Sequence, residues 1–98
     1  MGTITVSGGG SQVVQYVTKS GRESKRLNYN ESQDLEVDDH GDQLTLKFCF
    51  FSCGAPTAGP ADVLPGDYAS ADARLWHGIN LTVSRNGQII YDKSTDGT

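Results

Sequence analysis

Apolar and polar residues alternate along most of this chain with a period of two, the signature of half-buried β-strands. The clearest stretch is 43–51, where Leu44, Leu46, Phe48 and Phe50 alternate with Thr45, Lys47, Cys49 and Phe51. The first set is expected to face the core, and Cys49 and Phe51 to face outward. Residues 3–7 place Ile4 and Val6 on one face. Residues 12–19 carry Val13 and Val17 on one face, and Val14 and Tyr16 on the other. Short strands are also expected over 25–30, with Leu27 and Tyr29 on one face, and over 33–37, with Leu35 and Val37.

Turn residues punctuate these runs. Gly8-Gly9-Gly10, Ser20-Gly21-Arg22-Glu23-Ser24 and Asp38-Asp39-His40-Gly41-Asp42 all break the alternation. Ile79, Leu81 and Val83 lead to Asn86-Gly87, a hairpin signal. A three-residue loop pairing Val83 with Ile89 and Leu81 with Tyr91 places four apolar residues on one face, so burial favours it over a two-residue loop.

Residues 52–73 differ in kind. All six alanines and all three prolines of the chain lie between Ala55 and Ala73. Pro56, Pro60 and Pro65 argue against a central strand, so a long Pro/Ala/Gly loop is expected over 52–73. No segment sustains helical periodicity. The reading is a single all-β domain spanning 1–98: an antiparallel β-sandwich of about 7–8 short strands, Ig-like or Greek-key in type, with a small barrel as the alternative.

Composition narrows the function. The chain has 98 residues, twelve acids, eight bases and a net charge of −4. Nucleic-acid binding needs a basic footprint that this balance lacks, and attraction to an anionic membrane is disfavoured for the same reason. No apolar run reaches the ~18–20 residues of a membrane span. Residues 1–6 lack the layout of a signal peptide. Cytosolic retention and removal of a leader both fit, so localisation is left open.

Cys49 and Cys53 lie four residues apart. Extended residues at that spacing stand ~13 Å apart, whereas a disulfide needs α-carbons within ~7 Å. The pair can bridge only if the chain turns between Phe50 and Cys53, and two free thiols are the expectation. Neither cysteine has a spacing to His40 or His77 that suggests a nucleophile–base pair or a zinc site. There is no nucleophile elbow and no phosphate-cradling loop. No catalytic site, metal or cofactor is expected.

A non-catalytic binding or interaction module remains. Trp76, the single tryptophan, is expected to point outward beside the long loop, near Tyr68, His77, Asp67 and Asp72. Aromatic rings stack on the apolar faces of sugars while carboxylates take the hydroxyls, so carbohydrate is the first ligand suggested and a protein the next. The alternative is a self-assembling structural homo-oligomer using the outward Cys49 and Phe51. Segregated charge adds to it: Lys19, Arg22, Lys25 and Arg26 cluster in one segment, and six acids cluster between Glu31 and Asp42. Oppositely charged tips would favour head-to-tail association. Asn30-Glu31-Ser32 and Asn80-Leu81-Thr82 are glycosylation sequons.

Overall fold

The computed structural model describes residues 2–74 and 78–95. Among the described residues eight strands follow one another: β1 (Gly2–Ser7), β2 (Val13–Thr18), β3 (Ser32–Val37), β4 (Asp42–Cys49), β5 (Cys53–Val63), β6 (Tyr68–Arg74), β7 (Gly78–Arg85) and β8 (Gln88–Thr95). They form two sheets, a five-stranded one ordered β3-β1-β6-β7-β8 and a three-stranded one ordered β2-β4-β5. The two sheets pack as an all-β sandwich, not a closed barrel. All neighbouring strands run antiparallel except β1 and β6, which are parallel through Thr5↔Tyr68 and Val6↔Ala69. Among the described residues no helix is long and apolar enough to cross a membrane.

The period-two pattern does the folding work. Ile4 and Val6 of β1, Val14 and Tyr16 of β2, Leu44 and Leu46 of β4, and Leu81 and Val83 of β7 are all buried between the sheets. Each such side chain removed from water contributes roughly 1.5–3 kcal/mol. Tyr16 is the largest of them, and its hydroxyl donates to the Ser7 carbonyl at 2.6 Å. Burial pushes that hydroxyl well above the usual tyrosine range.

The three glycines after β1 are used for close approach. Gly10 holds φ at +78° and pairs with Ala73, and a Cβ on Gly9 or Gly10 would run into the β6 backbone. Any side chain there would push the loop off the sheet.

Several expectations are corrected. The region 52–73 is not a loop but most of β5 and β6. Pro56 and Pro60 are accommodated because β5 is the outer strand of its sheet, where a missing N–H costs no ladder bond. The β4–β5 register slips between Lys47 and Phe48, and again between Leu44 and Leu46. Those irregularities lie opposite the two prolines. Residues 25–30 form no strand. They meet β2 only at the single bridge Val14↔Leu27; just before them Glu23 bridges Val17, and the Ser24 hydroxyl takes the Tyr16 N–H at 2.9 Å in place of a backbone carbonyl.

Cys49 and Cys53 are bridged rather than free. The chain reverses right after Phe48, bringing the two α-carbons to 4.1 Å. Phe50 therefore leaves the alternation and is 58% exposed instead of lying in the core. In the last hairpin Arg85 pairs with Gln88 across the two-residue Asn86-Gly87 turn. A bulge then sets Tyr91 opposite Val83 and leaves Ile89 and Ile90 exposed. Packing of Tyr91 against the core won over the register that would have buried Ile89.

Candidate functional site

The residues expected to form a site separate by strand parity. Along β6, Ala69 and Ala73 point into the core, while Tyr68 and Asp72 face outward. Asp67 precedes the strand and is only 2% exposed. Its carboxylate accepts both Nε–H and Nη2–H of Arg85 at 2.9 Å and the Leu64 N–H at 2.9 Å. Burial alone would raise its pKa, but the Arg85 hydrogen bonds, the Leu64 N–H and the Arg85 charge outweigh it and hold the carboxyl below the usual range. Asp67 is thus a structural anchor: it ties the 64–67 turn to β7, with both oxygens engaged and the side chain buried.

Tyr68 and Asp72 stand on the outer face of the five-stranded sheet. Tyr68 is 45% exposed, and its hydroxyl lies 2.9 Å from that of Ser7, which fixes the ring across the face. The cross-strand rows around it are polar apart from Ile89. Thr5, Tyr68, Ser84 and Ile89 form one row, and Ser70, Thr82 and Asp92 the next. Asp72, Asn80 and Ser94 form the third. The Asn80 amide donates to Thr82 Oγ1 at 3.0 Å and to Asp92 Oδ1 at 3.1 Å. A groove of about 270 Å3 opens at this third row, lined by Asp72, Arg74, Asn80 and Ser94 among others. Tyr68 and Asp72 are four residues apart on one strand, or ~13 Å. The face offers one pinned aromatic ring and, beyond it, fixed hydroxyl, amide and carboxylate groups.

Trp76 and His77 lie outside the described residues. Of the two outward residues assigned to an interface, Cys49 is buried at 3% and its sulfur is bonded to Cys53, so it is no contact residue. Phe51 is 87% exposed. It stands beside Phe50 at the tip of the β4–β5 hairpin, ring centroids 4.5 Å apart and edge to face. The alternation pointed to Phe51 but not to Phe50; only the closed disulfide reveals the pair.

The two charged segments meet in part. Arg22 pairs with Glu36 at 3.4 Å and Lys25 with Glu31 at 3.9 Å, so basic and acidic segments run side by side. The turn at 38–42 is self-contained. Burial of Asp42 would raise its pKa, but the Ser20 hydroxyl and the N–H groups of Gln43, Asp38 and Ser20 hold it low. Asn30 of the first sequon is exposed, whereas Asn80 of the second is engaged in the outer-face network.

Compared with known proteins, the chain matches no family model, no curated protein and no solved structure.

Proposed function

We propose that this domain is a non-catalytic binding module that takes a neutral carbohydrate on the outer face of the five-stranded sheet. The observation that carries the reading is Tyr68: a half-exposed ring, pinned through its hydroxyl to Ser7, on a face whose neighbouring positions, Ile89 apart, carry hydroxyls, amide and carboxylates. A held ring stacks on the apolar face of a sugar at little entropic cost. Asp72, Asn80 and Ser94 along the adjoining groove supply acceptors and donors for sugar hydroxyls. The distance from Tyr68 to that groove suits an oligosaccharide rather than a single ring. The net charge of −4 disfavours acidic polymers.

Affinity electrophoresis in gels cast with β-glucan, xylan or mannan tests the reading. Retardation of the wild type by one of these polymers, reduced at least tenfold in apparent affinity by Tyr68→Ala and clearly weakened by Asp72→Ala, is expected. Migration unaltered by all three polymers, or retardation indifferent to both substitutions, would remove the sheet face from consideration.

A further inference from the structure

We propose that this domain associates with further copies of itself head to tail, the Phe50–Phe51 tip of one copy seating in a cleft at the opposite end of the next. The tip comes first. Phe50 and Phe51 are 58% and 87% exposed, yet the turn that carries them is closed by the Cys49–Cys53 bridge. A paired aromatic knob held in one conformation loses little entropy on docking, and aromatic side chains are the usual anchors of protein interfaces.

The strand registers place the two partners of this contact at opposite ends. β4 runs from Asp42 to Cys49, and the tip follows its end, where Val13 pairs with Cys49. At the start of β4 lies an open cleft of about 470 Å3, lined by Lys19, His40, Asp62, Leu64 and Arg85 among others. Its volume falls in the range of ligand clefts, roughly 300–1,000 Å3. Leu64, 39% exposed, supplies an apolar contact, and Lys19 supplies a cation for an aromatic face.

Charge runs the same way. Arg26 stands toward the tip, since its neighbour Leu27 bridges Val14, which pairs with Phe48, whereas Arg74 at that end is paired with Asp72. Asp38, Asp39 and Asp62 stand toward the cleft. At the cleft end these acids outnumber Lys19, and Arg85 is already paired with Asp67, so Arg26 at the knob end is drawn toward the cleft of the next copy. Because the two surfaces differ, the contact is heterologous and propagates into open chains instead of closing as a symmetric dimer.

Light-scattering mass measured across a concentration series tests this without any ligand. The wild type is expected to rise from 10.5 kDa without a plateau at two copies. Phe51→Ser and Leu64→Arg, both at exposed positions, should each stay at the monomer mass while keeping the wild-type circular dichroism. Mixed together, these two variants share one intact junction, so they should stop at twice the monomer mass. A wild type that stays monomeric at millimolar concentration overturns the proposal. So does a plateau at a dimer, or a mixture that fails to associate. If phosphatidylcholine vesicles pull down the wild type and Leu64→Arg but not Phe51→Ser, with no self-association, the tip serves a lipid surface and the proposal also fails. None of these outcomes touches Tyr68, so the carbohydrate reading stands or falls separately.

Discussion

The two ends of the sandwich are held by different chemistry. At the end where β4 begins, turns are tied down by carboxylates. Asp67 grips Arg85 and the Leu64 N–H, and Asp42 takes hydrogen bonds from Ser20, Asp38 and Gln43. At the end where β4 stops, the turn is closed by a covalent bond, and its side chains are left free to face solvent. A turn built on carboxylates spends its polar groups on itself, which is why the acidic residues there have little capacity left for a ligand. A turn closed by a disulfide needs no side chain to hold it. Phe50 and Phe51 can therefore be displayed. The first end should answer to pH and the second to reductant.

The largest effect expected from this contrast is at Asp67. Asp67→Ala strands a half-buried guanidinium and frees the 64–67 turn, and should lower unfolding free energy by about 3 kcal/mol, toward the lower range for breaking a buried ion pair because Arg85 is partly exposed. The same end sets the acid response. The folded pKa values of Asp67 and Asp42 lie below their unfolded values. The stability they confer is thus complete above the unfolded value near 4 and is lost as pH falls through the folded values. Denaturant unfolding between pH 7 and pH 2.5 should show a steep loss below about pH 4 in the wild type, and a shallower one in Asp67→Asn. Equal slopes in both proteins would mean that this end is not held by its carboxylates.

Reduction of Cys49–Cys53 should come next, at about 2 kcal/mol, because the loop it closes is short and the chain entropy it removes is correspondingly small. The loss should be independent of pH between 3 and 7, and should add to that of Asp67→Ala, since sites more than about 10 Å apart behave additively. Thermal unfolding with and without reductant, in both backgrounds, measures this. A reduction penalty that changes with the Asp67 background would show the ends to be coupled.

The contrast also explains what could be read from the sequence. Leu44, Leu46 and Phe48 were legible because their environment is set by strand parity alone, and so were the sandwich and most strand limits. Phe50 was not, since its place depends on a bond between residues on either side of it. Asp67 and Asp72 look alike as loop carboxylates. What separates them is Arg85, eighteen residues further on, which a local pattern does not contain. Pro56 and Pro60 argued against a strand because nothing near them says that β5 lies at a sheet edge. Tyr68 was legible only as a candidate beside Trp76, and its Ser7 partner sits 61 residues away across a parallel pairing.

The smallest effect on stability should come from the most exposed large apolar residue. Phe51→Ser should change unfolding free energy by no more than about 0.5 kcal/mol, the usual range for surface substitutions. Its ring is 87% exposed and touches chiefly Phe50. Phe48, two residues before Phe50 and still on β4, belongs to the core cluster, so its truncation serves as the internal control for a lost aromatic. Chemical denaturation of Phe51→Ser decides the matter. A loss above about 1 kcal/mol, beyond the surface range, would mean that the ring packs on its own domain, and the display end would then be a second anchored end. A change near zero leaves an aromatic pair that contributes nothing to its own fold, consistent with an interaction surface held ready by the disulfide.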